Sequence, residues 1–99
     1  MHSGCTQGPT PVNAEVGSLS QVLTKARIEW DNAPVDSVVN ADLLDSVSGF
    51  VERITVPGAT ETGDWLTSLT PGRTYIARLQ TFLGGESSKQ AFSNTIVAT

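Results

Sequence analysis

The side chains that could do chemistry in this sequence are few, and they are poorly placed for it. Nucleophilic catalysis needs a base within hydrogen-bond reach of a Ser, Thr or Cys. The 99-residue chain has one histidine, His2, and one cysteine, Cys5. Both fall in Met1-His2-Ser3-Gly4-Cys5-Thr6-Gln7-Gly8, a small, polar stretch without period that reads as a disordered tail or an expression remnant. No catalytic triad is expected, and two soft ligands on such a tail make a weak metal site. A lone cysteine also excludes an internal disulfide and any thiolate zinc site closed within one chain.

The acids are no better arranged. Asp36, Asp42 and Asp45 lie close in sequence but lack the tight alternation and turn glycine of a calcium loop. They read as solvated charges along a strand edge. Glycoside chemistry requires two carboxylates across a cleft, one with its pKa raised by burial, and every acid here falls at an outward or loop position. Gly84-Gly85 is followed by neither Gly-Lys-Ser nor Gly-Lys-Thr, so no phosphate loop is present. No Asn-x-Ser/Thr sequon occurs, and N-glycosylation is not expected. The expectation is no catalytic residue, no cofactor and no metal.

Binding chemistry remains. Gly84-Gly85-Glu86-Ser87-Ser88-Lys89-Gln90 reads as a long, flexible polar loop, and loops carried by a rigid scaffold are where recognition usually resides. Trp65 is the odd aromatic. Leu66 and Leu69 take the inward positions, which leaves Trp65 on an outer face or near an edge, where Trp often anchors a partner. The plainer alternative is that it lies flat over the aliphatic stem of a neighbouring Arg or Lys. A sheet face bearing Trp65 with Arg53 is thus a second candidate surface.

The elements that must position these residues read as strands. Val12–Val16 alternates and is broken by Gly17-Ser18. From Val22 to Trp30, Ala26, Ile28 and Trp30 share one face while Lys25, Arg27 and Glu29 share the other. Asp31-Asn32-Ala33-Pro34 ends that strand with turn chemistry. Residues 35–47 fit either a helical face or a strand. A strand over Ser37–Leu44 is favoured, because it leaves about 30 residues before Leu69 for the remaining turns and strands. Phe50–Val56, Gly63–Leu69, Arg73–Leu83 and Ser93–Thr99 complete the set. The expected inward side chains are Ile28, Trp30, Val39, Ala41, Ile54, Leu66, Leu69, Tyr75, Ala77, Leu79 and Ile96.

Composition fits this reading. Apolar residues make up 38% and charged residues 16%, suiting strands that each turn one face to the core and one to water. Six basic against ten acidic residues give net −4 with no basic stripe, so nucleic acid is not an expected partner. No apolar run approaches the ~18 residues of a membrane span. Residues 1–11 hold no charged segment leading an apolar one, so no signal peptide is expected there.

The most specific stretch is Leu69-Thr70-Pro71-Gly72-Arg73-Thr74-Tyr75. Pro71 fixes φ, Gly72 permits φ > 0, and Tyr75 opens the next strand with its hydroxyl free to turn back onto the corner. This is the pattern of a tyrosine corner. With Trp30 near the end of the second strand, Pro34 after it, and Val-Pro-Gly ahead of Leu66-x-x-Leu69-x-Pro71-Gly72-x-x-Tyr75, residues 9–99 resemble a fibronectin type III repeat of the tenascin type. The resemblance implies a seven-stranded antiparallel Greek-key β-sandwich, immunoglobulin-like, with Trp30, Leu69, Pro71, Gly72 and Tyr75 in structural roles. It implies a non-catalytic module of an extracellular or matrix multidomain protein, serving adhesion, protein contact or spacing. Partners would be another protein or neighbouring domains of the same chain, with the isolated domain monomeric. The Arg-Gly-Asp that integrins read in fibronectin is absent, so that inference does not transfer. The alternatives are an accessory module of a secreted carbohydrate-active enzyme or phage virion protein, or an engineered binding scaffold.

Overall fold

The computed structural model describes residues 14–57 and 62–99. Expectations for the tail at 1–8, with His2 and Cys5, for the residues up to Asn13, and for Gly58 lie outside the described residues. Eight strands follow in order: β1 (Glu15–Val22), β2 (Lys25–Asp31), β3 (Val38–Asp45), β4 (Gly49–Pro57), β5 (Gly63–Leu66), β6 (Thr74–Leu83), β7 (Glu86–Ser87) and β8 (Ala91–Val97). β1-β2-β5 form one antiparallel sheet. The other runs β4-β3-β6, with both β7 and β8 on the far edge of β6. Seven strands of four to ten residues make the β-sandwich; the two-residue β7 is the addition.

Alternation builds the core. Along β2 the exposed Lys25, Glu29 and Asp31 interleave with Ala26, Ile28 and Trp30, which are buried. Val39, Ala41 and Leu43 of β3 and Tyr75, Ala77 and Leu79 of β6 face them from the second sheet. Of the expected inward set, Ile54, Leu69 and Ile96 pack against the core while remaining partly exposed. Residues 38–45 are strand rather than helix.

Several boundaries differ from the sequence reading. Gly17-Ser18 does not end the first strand: β1 runs on to Val22 through a register shift between Val16 and Ser18, a bulge that takes up the glycine. Val22 therefore belongs to β1, pairing with Lys25 across a two-residue turn in which Leu23 adopts φ 57°. β5 stops at Leu66, three residues early, because the chain leaves the sheet to make the corner. β8 begins two residues earlier than expected and ends at Val97.

Gly63 shows how tightly β5 seats. A Cβ there would lie 2.8 Å from the Ile28 carbonyl oxygen and 2.7 Å from the Arg27 guanidinium. Backbone cannot yield as a side-chain tip can, so Gly63→Ala should cost about 1–3 kcal/mol, read as a fall in the urea midpoint.

The corner is built as the sequence implies. Gly72 sits at φ 88°. The Thr70 N–H donates to the Tyr75 hydroxyl oxygen at 2.8 Å, and Tyr75 is buried. Gly72 N–H donates to Ala98 O (2.8 Å) and Ala98 N–H to Arg73 O (2.9 Å), which ties the corner to the chain end. Tyr75→Phe should keep the fold and lose about 1 kcal/mol, one hydrogen bond's net worth, by chemical denaturation.

The described chain enters and leaves at opposite ends. Glu15 pairs with Asp31 at one end, while Gln21 Nε2 donates to Thr99 O and Thr99 N–H donates to Gln21 Oε1 at the other.

Candidate functional site

The segment 84–90, expected as a long flexible loop, is a short hairpin followed by a plug. Gly84 and Gly85 turn at φ 57° and 85°, and Glu86 and Ser87 return to pair with Leu83 and Phe82. Ser88 is buried: its N–H donates to Thr81 O at 2.9 Å, and its Oγ accepts from Thr81 N–H at 2.9 Å. Gln80 Nε2 donates to Ser88 O. The hydroxyl replaces the ladder partner that β6 loses where β7 gives way to β8. Ser87, Lys89 and Gln90 remain exposed and available to a partner.

The acids differ most from expectation. Asp42 and Asp45 are buried, not solvated; Asp36 alone is an exposed turn residue, at φ 65°. Asp42 does point to the outer face as its alternation requires. But β3 is the inner strand of its sheet, and Asp42 lies opposite Arg53 of β4 on one side and Arg78 of β6 on the other. Arg53 donates through Nε to Oδ1 (2.7 Å) and Nη2 to Oδ2 (3.0 Å). Arg78 donates through Nη2 and Nε to Oδ2 (2.6 and 3.2 Å). Burial alone would raise the Asp42 pKa, but the bonds from Arg53 and Arg78 outweigh it and hold it below the usual carboxylate range.

A bulge makes this row possible. Asp45 pairs with Gly49 and Leu44 with Phe50, so an unbroken hairpin would set Asp42 against Glu52. The register shift between Leu43 and Leu44 inserts Val51 and moves Arg53 into that place, turning a like-charge pair into an ion pair. Glu52 turns away, and its Oε1 accepts the N–H groups of Thr67 and Ser68 at 2.8 and 3.0 Å. Around the row lie two exposed aromatics. Phe50 sits beneath the Arg53 guanidinium (5.7 Å from Cζ to ring centroid), and Phe92 pairs with Arg78 across the β6–β8 ladder.

Asp45 closes a second clasp at the corner. Its Oδ2 accepts from Arg73 Nε at 2.8 Å, and its Oδ1 accepts from the N–H groups of Val47 and Ser48. The Arg73 bond first, then those backbone N–H groups, lower its pKa from 3.8 to about 2. A lowered folded-state pKa means the unfolded chain binds more protons between the two values, so stability rises with pH there. The contribution of Asp45 should be complete above about pH 4 and lost as pH falls through about 2. In acid titrations of the denaturation midpoint, Asp45→Asn should flatten the slope across that window.

Trp65 lies on the outer face of the three-stranded sheet, paired with Arg27, whose Cζ is 5.2 Å from the ring centroid. It stacks with an arginine and is 38% exposed. Arg53 belongs to the opposite sheet, so Trp65 and Arg53 share no face, and the combined candidate surface does not form. Trp65 instead borders a shallow apolar depression with Val22, Leu23, Thr24 and Lys25. Sequence patterning marks neither Phe50, Phe92 nor Arg78 as a binding residue and reads Asp42 only as a solvated charge, yet all four accompany Arg53.

Among the described residues no group of three or more His, Cys, Asp or Glu is placed to hold a metal ion. No described helix is long and apolar enough to cross a membrane. No protein-family model matches the sequence, and no curated protein matches it significantly. Solved structures do. The fn3 domain of human collagen alpha-1(XX) chain, a solution structure, superposes with a TM-score of 0.66 at 26% identity, covering 99% of this chain and 88% of that one. The crystal structure of an FN3 domain of human collagen XX gives 0.63 at 18% identity, over 96% and 100%. A computationally redesigned β-sandwich protein gives 0.62 at 20%, over 93% and 91%. The last two speak to fold alone.

Proposed function

We propose that this chain, which folds as a fibronectin type III domain, is a non-catalytic module of an extracellular or matrix multidomain protein, working in adhesion through protein–protein contact and spacing its neighbours. The carrying observation is where its reactive side chains are spent. Among the described residues, both buried carboxylates are held by arginines and the buried loop hydroxyls of Ser37 and Ser88 by backbone, whereas Phe50, Phe92 and Trp65 are left exposed on rigid sheets. Groups locked as ion pairs with a lowered pKa are poor acids and bases at neutral pH; exposed aromatics on a rigid scaffold suit contact. The described chain enters and leaves at opposite poles of the sandwich, which suits a place between neighbours. The collagen likeness supports an extracellular setting.

The test is made in the parent protein, scoring attachment to cells or matrix. Trp65→Ala is one variant; Ser87, Lys89 and Gln90 all changed to Ala is the other, sparing Ser88 because it is structural. Reduced attachment with an unchanged thermal midpoint supports contact. Unchanged attachment in both removes those two surfaces from the reading and leaves spacing or another face.

A further inference from the structure

We infer that the outer face of β4-β3-β6-β8, centred on Arg53 and Arg78, docks an acidic segment of a partner protein: a carboxylate flanked by apolar side chains. This deepens the contact-module reading and rests on it.

The charge on this face is unbalanced. Two guanidinium groups share one carboxylate, and the four bonds to Asp42 use only Nε and Nη2 of each arginine. Among the described residues, the register gives no second acid on this face. Its outward neighbours are Asn40, Leu44, Phe50, Thr55, Ile76, Gln80 and Phe92. Glu52 is turned toward Thr67 and Ser68. The face is therefore cationic on a chain of net −4. Asp42 holds the two arginines in place, and the Arg53 side chain is still 49% exposed. A guanidinium fixed in advance loses less freedom when it meets a carboxylate, the partner its planar fork fits.

Apolar flanks complete the complement. Phe50 and Phe92 are 57% and 53% exposed, one on each side of the arginine row. A carboxylate reaching the row would bring its neighbours against those rings, where contact shields the ion pair from water. Phe50 already supports Arg53 from below, as in a cation–π pair. A second copy does not fit, because face-to-face contact would set arginine against arginine. A sulfated polysaccharide or nucleic acid needs a run of cations, whereas here two arginines are already divided by an aspartate.

The test is a titration of the 15N-labelled domain with blocked Gly-Leu-Glu-Phe-Gly and its Glu→Gln and Glu→Lys counterparts, with a heparin hexasaccharide in parallel. The Glu peptide should shift amides of β4, β3, β6 and β8, with a Kd on the order of 1 mM that weakens with salt. The Gln peptide should bind about fivefold more weakly or worse, and the Lys peptide should give no shifts. Asp42→Leu, Arg53→Met and Arg78→Met combined leave no charge stranded, and that variant should ignore the Glu peptide. Should it not fold, Phe50→Ser with Phe92→Ser changes exposed positions only and should weaken Glu-peptide binding severalfold.

Equal shifts from all three peptides, shifts centred on β1-β2-β5, no shifts at all, or tighter binding of heparin would overturn the proposal. None of these outcomes touches the contact-module reading, which stands or falls on attachment of the parent protein.

Discussion

Trp30→Ala is expected to destabilise the domain by about 3–5 kcal/mol, a large part of the ~5–15 kcal/mol that holds a small domain folded. Trp30 is the largest fully buried side chain, at 1% exposure, and lies where β2 passes beneath the second sheet. Truncation removes its transfer free energy and leaves a cavity that two hydrogen-bonded sheets cannot collapse to fill. Its Nε1 is buried without a hydrogen-bond partner among the described residues. Trp30→Phe should therefore cost clearly less than Trp30→Ala, because no hydrogen bond is lost with the indole. Thermal and urea denaturation of the two variants read this directly. Equal losses would mean that volume is not what Trp30 contributes.

Leu66→Ala should cost about 2–5 kcal/mol and act on one strand more than the rest. β5 has four residues, of which Gly63 and Leu66 are buried, so Leu66 is its one large core side chain. The strand is held otherwise by its ladder to β2, opposite Ala26 through Glu29. Without Leu66 the ladder remains but its anchor is gone. Amide exchange across β5 should then accelerate ahead of exchange in β3 and β6, which keep neighbours on both sides. Uniform acceleration would show that β5 opens only with the whole domain.

Much of this fold is legible from residue order. The spacing of Ala26, Ile28 and Trp30 declares its buried face, and Pro71-Gly72 ahead of Tyr75 declares the corner that the Thr70–Tyr75 bond then closes. Local rules suffice where the device is local. They fall short at Gly17, where a bulge absorbs what would otherwise break a strand, and at Ser88, whose buried hydroxyl depends on how the chain folds back onto Thr81 across the hairpin.

The arginine row was hidden for the same kind of reason. Alternation correctly sends Asp42 outward, but burial there comes from the register of two neighbouring strands, and a single bulged residue decides whether Glu52 or Arg53 meets it. Counting outward from the hairpin at Val47 gives the acid–acid pair, and that clash was itself the available signal that a bulge must intervene. Outward position alone groups Trp65 with Arg53. Sheet membership, a property of topology, separates them.

The most direct test of the functional account is attachment of the parent protein to cells or matrix in three forms: intact, with this domain deleted, and with it replaced by an unrelated inert sandwich whose ends also lie at opposite poles. Contact predicts that deletion and replacement both reduce attachment while the remaining domains stay folded. Full attachment in both altered forms would contradict the account, because the domain would then supply neither contact nor the spacing its geometry suits.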